Sequence, residues 1–285
     1  MARDHSSLGR LKSRGRARKG VLLAGALLAV SCTPDRAPGA SDSGPTIVSL
    51  NPCIDAILVE VAAPGQVLAL SHYSRDSGSS SIPHNVAARY GVTGGTAEEV
   101  IALAPDLVLA STFLPQPTRQ ALERAGLRVE TFGSPTTVAA SIAQVREVAA
   151  IAGRGLEGER LVRDMTQAAM PADHARPIAT LLWQPGEIVP GNATLVAELL
   201  RAKGFANHAD AMGLGQADFA ALETVLADPP ELLLVAGDSA GQRHPLLAGL
   251  RATQVEPLDP HLLFCGGRTV VGLGMRLDQI RAQLP

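Results

Sequence analysis

One helix–proline–strand pattern occurs twice in the chain, and this repeat constrains the fold more than any other feature. The first copy spans residues 98–110 and the second spans residues 223–235. In each copy a Glu begins a short apolar helix, a Pro follows seven residues later, and an acidic residue precedes an apolar run typical of a buried strand. Two separated copies predict two similar lobes, and two facing lobes form a cleft that can hold a ligand.

The chain alternates strands and helices throughout, which predicts an α/β fold with parallel sheets. Its 285 residues, 46% of them hydrophobic, suffice for two packed lobes. We therefore expect two Rossmann-like lobes joined by one long helix, with a ligand cleft between them. The predicted boundaries are an N-terminal α/β lobe at 46–135, a connecting helix at 136–173 and a C-terminal α/β lobe at 174–285.

The start of the chain has the pattern of an export signal. A basic stretch precedes the apolar run Val21–Val30, which predicts a signal peptide at 1–31 followed by a flexible tether at 32–45. The sequence Ala29-Val30-Ser31-Cys32 is similar to a lipobox, with Ala29 in place of the usual Leu. Three alternatives follow, namely lipidation of Cys32, ordinary signal-peptide cleavage and a retained anchor.

The charge of the exported part argues against nucleic acid as a partner. Residues 1–31 hold seven of the 25 basic residues and one of the 27 acidic residues, which leaves 18 basic and 26 acidic residues. Phosphate contacts require Lys and Arg, so an acidic body is a poor match for DNA or RNA.

Three segments carry a resemblance to a known family. Residues 46–55 (TIVSLNPCID), 94–98 (GGTAE) and 104–110 (APDLVLA) resemble the helical-backbone periplasmic binding proteins, which serve ABC importers of cobalamin, haem and ferric siderophores. The resemblance implies a monomer in the periplasm, membrane-anchored if Cys32 is lipidated, that delivers its cargo to an inner-membrane permease. It also implies a metal chelate as cargo, no covalently bound cofactor and no catalysis. The opening segment is most similar to the cobalamin-binding branch, which favours a corrinoid.

The same resemblance gives a role to the acidic residue that begins each repeat. It implies that Glu98 and Glu223 each meet an Arg pocket on the permease, since an exposed carboxylate pairs well with Arg. The alternative is that both are ordinary acids at the start of a helix.

Ligand contacts are expected where loops leave the carboxyl ends of the strands. The candidates are the N-lobe residues Asn51, Cys53, His72, Tyr73, Arg75 and Phe113 with the run Ser79–Ser81, and the C-lobe residues Trp183, Asn192, Asp238 and Arg268. Trp183 is suited to stacking on a flat chelate, or else to core packing. Tyr73 is suited to stacking or to ligating a haem iron, or else to a turn with its hydroxyl in water.

Cysteine and histidine usage leaves two further questions. Cys53 and Cys265 lie in opposite predicted lobes of an exported protein. Three alternatives remain open. The two cysteines form a disulfide that locks the lobes together, or they are free thiols near the ligand, or they are buried and inert. The histidines show no compact ligand spacing, so we expect no bare-metal site.

One motif indicates an enzyme instead. Residues 237–241 match G-x-S-x-G after an apolar run, which is the pattern of a secreted serine hydrolase with Ser239 as nucleophile. The stretch from Gln242 to Pro245 disfavours the helix such a nucleophile needs, and Asp259 and His261 are awkwardly spaced for a triad. A glycine-rich loop is the other interpretation. A third possibility is a sensor of two binding lobes that works without a permease.

Overall fold

The computed structural model describes residues 44–76, 78–173 and 176–284. The N-terminal lobe is a parallel five-stranded sheet in the order β3-β2-β1-β4-β5. Its strands are β1 (Ile47–Ser49), β2 (Val67–Ser71), β3 (Val92–Thr93), β4 (Leu107–Ser111) and β5 (Arg128–Phe132). The helices between them are α1 (Pro52–Val61), α2 (His84–Ala87), α3 (Ala97–Leu103) and α4 (Gln116–Arg124).

The central strands of this sheet are buried on both faces, which explains their continuous apolar runs. Val48, Val108 and Leu109 are fully buried. Helix α1 begins directly after β1 because the Asn51 side chain accepts a hydrogen bond from the Cys53 amide and Pro52 sits in the first turn. The strand-to-helix turn that carries Cys53 is therefore fixed locally by three consecutive residues.

Two helices, α5 (Val138–Ile151) and α6 (Gly155–Ala168), connect the lobes. They pack antiparallel, because Arg146 of α5 pairs with Glu159 of α6 at 2.7 Å and Gly158 lies directly against Ala149. The prediction of one long connecting helix at 136–173 is wrong, because the connector consists of two helices. Gly153 adopts a φ of +70°, which reverses the chain, so the glycines that interrupt the helical pattern form a hairpin turn.

The C-terminal lobe is a parallel four-stranded sheet in the order β11-β10-β6-β8, with a separate antiparallel ribbon of β7 and β9. The strands are β6 (Ile178–Trp183), β7 (Ile188–Val189), β8 (Phe205–Asn207), β9 (Asp218–Phe219), β10 (Leu232–Ala236) and β11 (Gln254–Leu258). The helices are α7 (Leu195–Ala202), α8 (His208–Ala211), α9 (Leu222–Ala227) and α10 (Arg268–Arg281). The two-lobed α/β class predicted from the sequence is confirmed.

The repeated sequence pattern corresponds to equivalent units in the two sheets. Helix α3 leads into β4, and helix α9 leads into β10. In each sheet this strand lies between the first strand of the lobe and the last one, β1 and β5 in one lobe and β6 and β11 in the other. The sequence repeat thus marks the same place in two related folds.

The lobes share one apolar layer of helices. Its buried side chains come from α1 (Ile57), α5 (Val145), α6 (Met165) and α10 (Leu273 and Leu277), and they belong to one continuous core. None of the helices in the described residues combines the length and the apolar composition that a membrane span requires. The expected signal peptide, Cys32 and most of the tether lie outside the described residues.

Candidate functional site

A cleft lies between the two lobes. It opens beside the carboxyl ends of β1 and β5 and of β6, where the fold places binding loops. Its described lining residues are all uncharged. They are Cys53, Ser134, Pro135 and Thr136 of the N-lobe, and Gln184, Pro190, Thr194, Leu195, Val196, Gln216, Leu263, Phe264, Cys265 and Gly266 of the C-lobe.

A second groove, lined by N-lobe residues, lies along the neighbouring part of the same sheet edge. Tyr73 and Phe113, which are 49% and 85% exposed, lie at this groove. The rings of His72 and Tyr73 are 4.1 Å apart and tilted by 35°. The groove therefore presents aromatic surface that a flat chelate can cover. The structure places three of the candidate residues together here.

A buried carboxyl group holds the turn that carries Tyr73. Oδ2 of Asp55 accepts hydrogen bonds from the Ser71 amide at 2.9 Å and from the Ser74 hydroxyl at 2.6 Å. Burial raises the pKa of Asp55 to about 7, against the opposing effect of its hydrogen bonds. Asp55 is a residue the sequence analysis missed. The sequence feature that could have identified it is an acidic residue among the apolar residues of a predicted helix.

Two other N-lobe candidates have structural contacts that keep them from the cleft lining. Asn51 caps α1 and donates from its side-chain amide to the Phe132 carbonyl oxygen at 3.5 Å. Arg75 donates to the Tyr90 carbonyl oxygen at 2.6 Å. Asn51 thus links the start of α1 to the end of β5. Arg75 links the turn after β2 to Tyr90, which lies just before β3.

Cys53 and Cys265 are joined by a disulfide, with their Cα atoms 5.1 Å apart. Both cysteines line the interlobe cleft. The sequence left a disulfide, free thiols and buried inert cysteines as alternatives, and the structure contains the disulfide between the lobes. It links the first turn of α1 to the segment just before α10.

The segment from β11 to α10, which we call the crossing loop (residues 259–267), reaches from the C-lobe to the N-lobe side of the molecule. Nδ1 of His261 donates to the Ser80 carbonyl oxygen at 2.6 Å. The Gly267 amide donates to the Ser141 hydroxyl at 2.9 Å. Phe264 of this loop lines the cleft and was missed from the sequence, although it precedes a cysteine that was placed near the ligand.

Trp183 is a correction to the sequence-based candidates. The ring is fully buried in the C-lobe core, and its indole N–H donates to the Ala220 carbonyl oxygen at 2.9 Å. It packs with Leu181, Val189 and Leu233 in that core. With both ring faces covered and the polar edge satisfied, Trp183 offers no surface for stacking on a cargo.

The remaining C-lobe candidates also lie outside the cleft lining. Arg268 pairs with Glu60 at 2.7 Å and with Asp164 at 3.3 Å, and the Glu60 hydrogen bond raises its pKa. It therefore links α10 to α1 and α6 and does not line the cleft. Asn192 accepts hydrogen bonds from Asn207 and Arg201. Asp238 is an exposed residue of the loop after β10.

Glu98 and Glu223 occupy matching places in the two lobes. Each is exposed in the first turn of its helix, α3 or α9. No hydrogen bond or ion pair joins either carboxylate to another described residue. The neighbouring Glu99 differs, because its carboxylate accepts from the Thr93 hydroxyl at 2.8 Å and from the Gly94 amide at 2.7 Å.

The serine-hydrolase arrangement does not form around Ser239. The Ser239 amide donates to Oε1 of Gln242 at 2.9 Å, which closes a turn where a nucleophile would need the start of a helix. Among the described residues, no histidine is hydrogen-bonded to the Ser239 hydroxyl. His261 is held instead by Ser80, and Asp259 accepts from the His261 backbone amide. The motif is a glycine-containing turn.

Metal-ligating side chains do not cluster in the part of the chain that the structure describes. Within residues 44–76, 78–173 and 176–284, no group of three or more His, Cys, Asp or Glu side chains is placed to hold a metal ion. The uncharged cleft lies between the two lobes, and the aromatic groove is formed by N-lobe residues.

Comparisons with known proteins agree with this architecture. The family described as "Periplasmic binding protein" matches residues 47–255. The periplasmic heme-binding protein HutB of Vibrio cholerae superposes with a TM-score of 0.65 at 18% identity, over 84% of this chain and 99% of that one. The periplasmic heme-binding protein RhuT of Roseiflexus sp. RS-1, in its apo form, gives 0.63 at 20% identity, over 84% and 99%.

A periplasmic heme-binding protein from Pseudomonas aeruginosa gives a TM-score of 0.60 at 20% identity, over 84% of this chain and 94% of that one. At these identities the likeness shows a shared fold. No sequence among the curated proteins matches the chain.

Proposed function

Since the chain belongs to the periplasmic binding protein family, we propose that it captures a metal chelate between its two lobes and delivers it to an ABC permease. The observation that carries the proposal is the uncharged interlobe cleft beside the exposed aromatic groove of the N-lobe. Both lie at the carboxyl ends of the N-lobe strands. The C-lobe also lines the interlobe cleft.

The cargo we propose is a corrinoid, a haem or a ferric siderophore. All three present a broad and partly apolar surface that suits Tyr73 and Phe113. The three solved structures named above are of heme-binding proteins, which supports a metal chelate as the cargo. The lining of the interlobe cleft offers polar but uncharged groups such as Ser134 and Gln216. We retain all three cargo classes, with the corrinoid favoured by the opening sequence.

We propose that the protein binds without catalysing a reaction. Ser239 is the residue that most suggested an enzyme, and its backbone is held in a turn by Gln242. Binding and release at a cleft need no nucleophile or general base.

We propose further that Glu98 and Glu223 dock the loaded protein on the permease. The support is their matched exposure at the start of α3 and α9, with neither carboxylate engaged inside the described protein. Each is free to pair with an Arg of a partner. The proposed site of action is the periplasm, with attachment to the membrane if Cys32 carries a lipid.

The proposal is tested by titrating the exported chain, residues 33–285, with cyanocobalamin, haemin and a ferric trihydroxamate in separate calorimetric experiments. We expect one of them to bind with one-to-one stoichiometry. Replacing Tyr73 or Phe113 by Ala should weaken that binding about tenfold or more, because an aromatic contact is lost. Leu156→Ala is the matched control, since Leu156 is 76% exposed and lines neither cavity.

Failure of all three probes to bind would remove the chelate assignment. Binding that is unaffected by the Tyr73 and Phe113 substitutions would place the cargo elsewhere than on the aromatic groove.

A further inference from the structure

The crossing loop is attached to the N-lobe and to the connector at three points. His261 bonds to the Ser80 carbonyl, Cys265 is disulfide-bonded to Cys53, and Gly267 bonds to Ser141. Between the first and last of these points lie residues 263–266, which line the interlobe cleft. The loop is thus a wall of the cleft whose position depends on these attachments.

The disulfide differs from the other two attachments because it is covalent and chemically reversible. Cys53 is half-buried and sits on the cleft, so a small dithiol can approach it from that side. We propose that this disulfide fixes the crossing loop as a wall of the cargo cleft, so that opening it lowers the affinity for cargo. The inference rests on the proposed function and identifies a control of that same site.

The physical argument is preorganisation. A wall that is already ordered does not have to be ordered when cargo binds, and a binding protein gains affinity when this entropic cost is removed. The hydrogen bonds of the loop, including those that the Thr269 hydroxyl donates to the carbonyl oxygens of Cys265 and Gly266, are individually weak attachments compared with a covalent bridge. With the bridge opened, the loop samples other positions, and cargo binding must then pay for its ordering.

The redox step is an ordinary exchange with a dithiol. One thiolate of the dithiol attacks a sulfur of the bridge, and the second displaces the mixed disulfide. The products are the thiols of Cys53 and Cys265 and the oxidised cyclic dithiol, with two electrons and two protons transferred to the protein. Because linkage is reciprocal, cargo that binds the bridged form tenfold more tightly makes the bridge harder to reduce by about 30 mV.

The first test uses no cargo. Amide hydrogen exchange is measured in the exported chain with the bridge intact, after reduction by a dithiol, and in the double variant Cys53→Ser/Cys265→Ser. We expect exchange at His261 and Gly267 to be about tenfold faster without the bridge, with α4, which carries none of the loop's attachment points, as internal reference. Ser141→Ala, which keeps the bridge and removes only the Gly267 hydrogen bond, should have a smaller effect.

The second test measures affinity for cyanocobalamin, haemin and a ferric trihydroxamate, without reductant, in the native chain and in the double variant. We expect the dissociation constant of the bound probe to rise about tenfold in the variant. Far-UV circular dichroism establishes that the variant is folded. If it is not, native protein reduced by the dithiol, freed of reductant and used at once provides the same comparison.

The outcomes separate this inference from the proposed function. Unchanged exchange in the crossing loop overturns the inference, whether or not a probe binds. Faster exchange with an unchanged dissociation constant also overturns it, while leaving the proposed function standing. If no probe binds the bridged form, the chelate assignment fails and the coupling of bridge to cargo falls with it.

Discussion

Oδ2 of Asp55 lies 2.6 Å from the hydroxyl oxygen of Ser74, in a place that excludes solvent completely. Ser74 belongs to the short 3₁₀ helix His72–Arg75, which also presents Tyr73 to the groove. A buried carboxyl group in one lobe therefore holds the turn that presents an aromatic side chain at the proposed cargo site.

Asp55 should make the protein less stable as the pH rises. Its pKa is about 7 in the folded protein against an ordinary value of 3.8, so the folded state binds the proton more tightly. The free energy of unfolding should therefore fall between pH 5 and pH 8, by roughly 2–3 kcal/mol from this group. Urea unfolding at several pH values measures the slope, and Asp55→Asn should flatten it.

The window from pH 5 to pH 8 avoids the paired carboxylates whose pKa is lowered, such as Glu231, since these are ionised in both states there. Equal slopes in the native protein and in Asp55→Asn would show that Asp55 does not carry the effect.

Two glycines of helix α6, Gly155 and Gly158, should respond differently to an added methyl group. A Cβ at Gly158 would overlap the Cβ of Ala149, so Gly158→Ala must push α5 and α6 apart. We expect a loss of about 1–3 kcal/mol in the free energy of unfolding. At Gly155 no heavy atom lies within 4 Å of an added Cβ, so Gly155→Ala should be neutral or stabilising by up to about 1 kcal/mol.

Denaturant unfolding of the two alanine variants side by side decides this prediction. Similar stabilities would mean that the hairpin tolerates a wider spacing than its packing suggests.

The acidic pair should affect transport but not binding. We expect the double variant Glu98→Ala/Glu223→Ala to lose permease-dependent uptake, because it removes both carboxylates that are proposed to pair with Arg residues of the permease. Neither carboxylate is bonded to another described residue, so the change should leave the fold intact. Cargo affinity by calorimetry should stay within about twofold of the native value, since neither residue lines either cavity. Uptake is measured in cells or in vesicles that contain the permease.

Glu147→Ala is the matched control, because Glu147 is an exposed acid of α5 that belongs to neither repeat. Loss of uptake in this control as well would point to overall charge, and a fall in cargo affinity in the double variant would contradict the docking assignment.

Trp183→Phe should destabilise the fold without weakening cargo binding. The change removes the hydrogen bond to the Ala220 carbonyl oxygen and leaves a void in a fully buried core. We expect a loss of about 2–4 kcal/mol in the free energy of unfolding. Tyr73→Ala should do the reverse, with weaker binding and nearly native stability, since Tyr73 is half exposed. A loss of cargo affinity in Trp183→Phe at a temperature where it is folded would contradict the core assignment.

The sequence predicts most of what is periodic or repeated in this fold. Continuous apolar runs such as Leu107–Ser111 are recognisable because a strand buried on both faces has no polar alternation. The equivalence of α3 and α9 follows from a repeat that can be read by eye. The hairpin between α5 and α6 was visible only as an interruption at Gly153, since the direction of the chain after a glycine depends on packing.

The site was harder to predict because its decisive contacts are long-range. Trp183 ends a strand, as a ligand-stacking residue would, but it is buried in a core cluster with Val189 of β7, and the Ala220 carbonyl oxygen accepts its N–H. Arg268 was expected at the cleft from its place at the start of the last helix, yet it pairs with Glu60 and Asp164 outside the cleft lining. The contact between His261 and Ser80 joins residues 181 positions apart and has no local signal.

The disulfide between Cys53 and Cys265 also changes the topology of the molecule. It closes a ring of covalent bonds across a sequence separation of 212, and that ring contains every strand from β2 to β11 and both connector helices. A peptide bond cut in any loop of the ring opens it without releasing a fragment. A protease that nicks one surface loop would therefore leave a single molecule, of unchanged mass on a non-reducing gel, with both lobes still tethered at the cleft.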